Sequence, residues 1–318
     1  MSVNKLFIAA LLVYSLSLQL FAQKSDSARI AESKYLFTYF KGNGEDGLHI
    51  AVSNDGLKWE ALRNDGVFLA PDTAKKALMR DPAVLYGPDK KYHLTWTTSW
   101  NNRIIGYAES EDLIHWSEQK YIPVMENEKE VLNCWAPEIF YDDIEKQYMF
   151  FWASTVPGKF PETDNQDKLP SGAGLNHRIY YITTKDFKTF SETKLLYNHG
   201  FNVIDATIMK DGKRYIMFLK DETNKPFVPQ KNIRIAFSNK PSGPYSKPGK
   251  PITGKYWAEG PTAIKIGKKW YVYFDKYAEH KYGVIVSDDL VHWKDISGKL
   301  VMPDGIRHGS IIAVPHNN

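Results

Sequence analysis

Four carboxylates in this chain share a local setting that suits chemistry. Asp81 in RDPAVLY, Glu138 in WAPEIFY, Asp205 in IDATIM and Glu259 in AEGPTAI each open an apolar, strand-like run. Successive acids are 57, 67 and 54 residues apart, and a fifth run, RHGSIIAV, opens at His308, 49 residues after Glu259. Spacing of that kind marks an internal repeat. Asp205 lies inside Val203-Ile204-Asp205-Ala206-Thr207, where an unpaired carboxylate is costly. Glu259 is flanked by Ala258 and Gly260, small residues that leave room for a ligand. Singly, each acid has a plainer explanation. Asp-Pro and Gly-Pro start turns, and Glu138 reads as a structural carboxyl bonding backbone or a neighbouring strand. Jointly, Asp81, Asp205 and Glu259 at matching places in three copies point to proton transfer at one site.

What must position them is a second repeated element. An apolar strand ends in a Ser/Thr-x-Asp turn followed by an aromatic: SNDGLKW to Trp59, SEDLIHW to Trp116, TKDFKTF to Phe190 and SDDLVHW to Trp293, with a weaker copy, SNKPSGPY, ending at Tyr245. Short polar side chains bond their own backbone in such turns. Between the elements run β-branched and aromatic strands such as KYHLTWTT and WYVYFDKY. The N-terminal YLFTYF and GLHIAVS have outer-strand character without an inner strand, and the C-terminal RHGSIIAV is an inner strand without outer ones. If residues 308–314 pair with the strands of 35–60, the count closes at five. The expectation is an all-β, five-bladed β-propeller whose ring closes by pairing the C-terminal inner strand with the N-terminal outer strands. A β-sandwich is the bland alternative. In a propeller Asp81, Glu138, Asp205, Glu259 and His308 converge on the axis at one mouth. The loops at 41–47, 98–103, 154–178, 221–231 and 276–282 belong to that mouth, and Trp100, Phe160 and Tyr277 are its candidate stacking platforms.

The bulk properties fit one large all-β domain over residues 23–318. Of 318 residues 43% are hydrophobic and 14% aromatic, and the net charge of +4 is spread without a basic block, which argues against a nucleic-acid partner. Lys5 followed by the apolar run Leu6 to Leu20 and Leu20-Phe21-Ala22 predicts a signal peptide over 1–22, cleaved before Gln23. The run is shorter than a membrane span, so the expected location is secreted or periplasmic, with no membrane association after cleavage. Cys134 is the single cysteine, so there is neither an intramolecular disulfide nor a lipid-anchor cysteine after the leader.

From about Tyr35 to Val314 the motifs resemble those of glycoside hydrolase family 43. The order and spacing of Arg80-Asp81-Pro82, Trp135-Ala136-Pro137-Glu138, Ile204-Asp205-Ala206 and Glu259-Gly260-Pro261 carry the resemblance. It implies an inverting mechanism with Asp81 as general base, Glu259 as general acid, and Asp205 holding Glu259 and raising its pKa. It also implies sugar contacts from Arg307 and His308. No cofactor is required; a structural calcium ion in the central channel is a family feature that one histidine does not establish. The implied partner is an oligosaccharide or polysaccharide, with exo cleavage of α-L-arabinofuranosyl side chains first. β-Xylosidase or galactofuranosidase activity comes next. A non-catalytic carbohydrate-binding propeller would keep the aromatics and lose an acid, whereas all three are present. The invertase and levanase families share Arg-Asp-Pro, but their Trp-x-Asn-Asp-Pro-x-Gly and Glu-Cys motifs are missing here.

Overall fold

A computed structural model describes residues 26–315 except 76, 164–174 and 224–230. The expected leader, the middle of the 154–178 loop and most of the 221–231 loop thus lie outside the described residues. Five antiparallel sheets follow one another along the chain. The first holds β1 (Tyr35–Tyr39), β2 (His49–Ser53) and β3 (Glu60–Ala61); the second β4 (Arg80–Tyr86), β5 (Tyr92–Thr97), β6 (Ile105–Ser110) and β7 (Lys120–Ile122). The third holds β8 (Trp135–Asp142), β9 (Gln147–Thr155), β10 (His177–Thr184) and β11 (Lys194–Tyr197), and the fourth β12 (Val203–Asp211), β13 (Arg214–Asp221) and β14 (Asn232–Ser238). The fifth holds β15 (Glu259–Ile266), β16 (Lys269–Lys276), β17 (Lys281–Ser287) and β18 (Lys294–Asp295), after which β19 (Ser310–Ala313) returns to the first. There Tyr35 pairs with Ala313 and Thr38 with Ser310. The ring closes as the sequence predicts.

Alternation along the strands explains why the sheets stack around an axis. In β1 and β2, Leu36, Ile50 and Val52 pack toward the second blade with Val84, Leu94 and Trp96. The alternate residues Phe37, Tyr39 and Ala51 pack toward the fifth with Tyr273 and Val284. Each side of a blade is therefore apolar, and five hydrophobic clusters occupy the five blade-to-blade interfaces. With both faces buried, the polar groups at the inner-strand ends are left to line the axis.

The recurring turn also has one structure. Asp55 Oδ1 accepts the N–H groups of Leu57 (2.7 Å) and Lys58 (2.8 Å), and Asp112, Asp186 and Asp289 repeat the pattern. The residue after each Asp is left-handed: Gly56, Leu113, Phe187 and Leu290.

Two elements depart from the regular pattern of the blades. The fourth blade has three strands rather than four. The segment after β14 still donates from Ser246 to Phe237, Gly249 to Ile235 and Ile252 to Ile233. Pro244, Pro248 and Pro251 interrupt it, and proline has no N–H to continue a ladder. Residues 26–32 form a short helix, with Ile30 buried in the first inter-blade cluster. Two turns are too few for a helical period to stand out in sequence.

Candidate active site

Four of the five inner strands carry the same irregularity. Pairing with the second strand slips between Arg80 and Ala83, Trp135 and Glu138, Ile204 and Thr207, and Glu259 and Thr262. In each slip one residue is left-handed: Asp81 (φ 51°), Ala136 (46°), Asp205 (50°) and Gly260 (58°). Such bulges re-aim side chains, here at the end of the axis where inner strands begin. The register also refines the expected equivalence of the acids. Asp81 and Asp205 hold the same bulge position, whereas Glu259 stands one residue before its left-handed glycine and Glu138 two residues after Ala136. Blade-crossing bonds extend the alignment to the last inner strand. Thr262 Oγ1 accepts Ile311 N–H (3.0 Å) and Ser310 Oγ accepts Val84 N–H (2.9 Å), which puts His308 at the Asp81 position and Arg307 at that of Glu259.

The carboxylates are tied to one another through neighbouring blades. Thr97 Oγ1 donates to Asp81 Oδ2 (2.7 Å) and accepts the N–H of Ala136 (2.8 Å). Asp205 Oδ2 accepts the N–H of Gly260 (2.9 Å), so it fixes the backbone beside Glu259. His308 Nδ1 lies 3.3 Å from Asp81 Oδ1. Gly260 has no side chain because His308 occupies the space: a Cβ there would lie 2.4 Å from the ring. Glu259 is held by Lys220 Nζ on Oε2 (3.0 Å) and Arg307 Nη2 on Oε1 (3.4 Å), and Arg307 Nε also donates to Asp275 Oδ2 (2.6 Å).

Environment sets the charges apart. Burial pushes the Asp81 carboxyl up, but the hydrogen bond and charge of His308, with Arg80 and Thr97, outweigh it and hold Asp81 at about 2. Burial likewise works against His308's charge, and Asp81, Asp205 and Glu259 overcome it, lifting the imidazole to about 9. For Asp205 burial prevails over His308 and Lys220, with help from Glu259 and Asp81, and the group rises to about 6. Burial also carries Glu138 to about 8 against His308 and a hydrogen bond from Thr207. The axis thus holds an ionised Asp81 against a cationic His308 at neutral pH.

A pocket of roughly 180 Å³ opens over these groups, lined by Asp81, Asp205, Glu259, Arg307, His308 and Trp100 among the residues anticipated, and also by Arg80, Thr97, Trp135, Ile204, Lys220 and Glu222. Trp100 is 45% exposed and fixed at its edge by Nε1–H to Asn43 Oδ1 (3.0 Å). Arg80 lies against its ring at 4.2 Å, and Trp135 meets it edge-on at 5.5 Å. Phe160 is not among the pocket's lining residues; its ring carries the Arg178 guanidinium at 4.3 Å. Tyr277 stacks on Trp257 at 5.6 Å and lies under Lys220 Nζ at 4.6 Å, and it is not among the pocket's lining residues. Lys220 and Glu222 went unread in sequence because KDETNK looks like an ordinary polar loop; only the register, Ile204 opposite Lys220, reveals that this lysine faces the site.

A central calcium ion finds a poor donor set here. Among the described residues no three His, Cys, Asp or Glu side chains group as metal ligands.

Comparison with known proteins places the chain in a family. Residues 31–318 match the family model described as "Probable glycosyl hydrolase domain", of the family 43-related group. A curated alpha-L-arabinofuranosidase of Bifidobacterium longum subsp. longum is 24% identical over 320 residues, covering 89% of this chain and 28% of its own length. The chain therefore spans about 28% of that relative. Among solved structures, a thermostable family-43 glycoside hydrolase superposes with a TM-score of 0.52 at 21% identity, covering 72% of this chain and 78% of the other. An alpha-L-arabinofuranosidase from Lactobacillus brevis gives 0.53 at 18% identity, covering 70% and 73%. At these identities the structural likeness speaks for the propeller fold.

Proposed function

This chain belongs to the glycosyl hydrolases related to family 43, and on that premise we propose that it is an inverting exo-glycosidase whose first substrate class is the α-L-arabinofuranoside. The observation that carries the reading is the shared pocket of Asp81 and Glu259. They stand on the second and fifth blades, which are not neighbours in the ring. Such a pair can flank a sugar with a water on one side and the glycosidic oxygen on the other. Asp81, held ionised, takes the proton of that water as its oxygen bonds to the anomeric carbon. Glu259 gives its proton to the departing oxygen as the carbon–oxygen bond breaks. Asp205 fixes the Glu259 backbone through Gly260 and adds negative charge beside it. Arg307 and His308 are in place to meet sugar hydroxyls, and Trp100 offers a face to the residue beyond the cleaved bond. Phe160 is left a secondary candidate at most.

The small volume of the pocket supports a single terminal sugar, and the curated arabinofuranosidase relative supports arabinofuranose over xylose or galactofuranose. A screen of 4-nitrophenyl arabinofuranoside, xyloside and galactofuranoside with wild type, Asp81→Asn and Glu259→Gln tests it. Turnover is expected on the arabinofuranoside, abolished in Asp81→Asn and partly retained in Glu259→Gln, because nitrophenol departs with little proton donation. Sugar binding without turnover in the wild type would favour a carbohydrate-binding propeller. On this reading the chemistry uses no cofactor, so activity is expected to persist after EDTA treatment. A leader over 1–22 and an exported mature chain fit a polysaccharide substrate; the N-terminus of the exported protein should be Gln23.

A further inference from the structure

Lys220 is out of place as a structural lysine. It is 1% exposed, and a buried ammonium is costly unless several partners hold it. Glu222 Oε2 lies 2.6 Å from its Nζ and Glu259 Oε2 3.0 Å, with the Tyr277 ring 4.6 Å away. Glu222 is held in turn by Lys231 at 2.6 Å and by its own N–H to Asn202 O at 2.8 Å. Charges therefore alternate in a row: Glu259, Lys220, Glu222, Lys231. Pairing with Glu222 alone would have satisfied a structural lysine. This one reaches into the pocket.

We infer that Lys220 is a positioning residue for the general acid: its ammonium orients the Glu259 carboxyl and takes up the charge left there when the proton departs, while Glu222 tempers that pull. The inference rests on Glu259 being the acid. As the glycosidic bond breaks, the proton moves from Glu259 to the leaving oxygen and a carboxylate appears 3.0 Å from Lys220 Nζ. Burial works against the Lys220 charge, but Glu222, Glu259, Tyr277 and Asp205 hold its pKa well above the ordinary lysine value, so the cation is present at working pH. Glu222 keeps the local sum near zero. Without it, Lys220 would draw the proton off Glu259 before substrate is cleaved.

Removing each member of the pair should move the alkaline limb of the kcat/KM profile in opposite directions. Lys220→Met takes the cation from Glu259 Oε2 and leaves Arg307 on Oε1, with Asp275 and Asp205 still beside it, so the proton is kept to higher pH and the limb moves up. Glu222→Gln leaves the cation untempered, so the limb moves down. Lys220→Met should also lose on the order of ten- to a hundredfold in kcat/KM on an alkyl glycoside, the worth of a charged hydrogen bond, and much less on the nitrophenyl one; Lys220→Arg should recover part of it. Limbs that stay put or move together, or equal losses on both glycosides, would overturn the proposal. Glu259→Gln measured alongside separates the two claims. If it depends on leaving group while Lys220→Met does not, the acid stands and the role of Lys220 falls; if it does not, both fall. Should Lys220→Met fail to melt cooperatively, Glu222→Gln and Lys220→Arg still decide by the direction of the limb.

Discussion

Asp81 and Asp205 share their left-handed bulge position with Ala136 and Gly260, and those last two make opposite predictions. An alanine at φ 46° carries the ordinary penalty of a Cβ in that region, about 1–2 kcal/mol. Ala136→Gly should therefore stabilise the protein by about 1 kcal/mol, with activity unchanged. Gly260→Ala adds the same penalty and drives a Cβ to 2.4 Å from His308. Together these should cost about 2–5 kcal/mol and lower kcat/KM by more than the stability loss explains, because a displaced His308 no longer holds Asp81. Melting temperatures with kcat/KM for both variants check this, and equal effects from the two would contradict it. At this scale the acids were legible because a carboxylate in an apolar run conflicts with its surroundings. The bulge that aims them was not, since a slip in register depends on the partner strand. Lys220 stayed hidden for the same reason.

At the scale of the element, the sequence-level reading of five repeats with a split first blade holds in detail: β19 pairs with β1 over Tyr35 to Thr38. The split was legible because outer strands at one end and an inner strand at the other cannot each be satisfied alone. The fourth blade was less so. Its weaker turn still buries Tyr245, whose hydroxyl donates to Pro241 O (2.9 Å). The prolines after it replace an outer strand by isolated bonds, a difference set by the spacing of donors rather than by hydrophobic pattern. Closure has a measurable consequence. A chain ending at Arg307 lacks Ile311 and Val314, both 6% exposed in inter-blade clusters, and leaves the edge of β1 unpaired. It should show no cooperative melt, whereas a chain ending at Pro315 should melt like the full protein. Equal melting of all three would contradict the closed ring.

Across the whole molecule, the axial groups make stability depend on pH in a definite sense. Glu138, Asp205 and His308 are raised in the fold to about 8, 6 and 9 from 4.5, 3.8 and 6.5. The folded state therefore binds more protons, and their stabilisation is complete below the unfolded values and lost as pH rises through the folded ones. Asp81, lowered to about 2 from 3.8, acts the other way: its contribution is present above 3.8 and lost as pH falls toward 2. These axial groups should make the melting temperature fall as pH rises from about 5 toward 9. Glu138→Gln, which cannot ionise, should flatten the fall between about pH 5 and 8; an unchanged slope would remove Glu138 from this account.

The ring brings Asp81 and Glu259 into one pocket from non-neighbouring blades, and on the proposed mechanism a water attacks from the side opposite the leaving group. Proton NMR of the sugar released in the first minutes from 4-nitrophenyl α-L-arabinofuranoside reads that consequence directly. The account predicts β-L-arabinofuranose as the first-formed anomer, followed by slow mutarotation. The α anomer appearing first would mean retention, with one of the two carboxylates attacking carbon itself, and would contradict it.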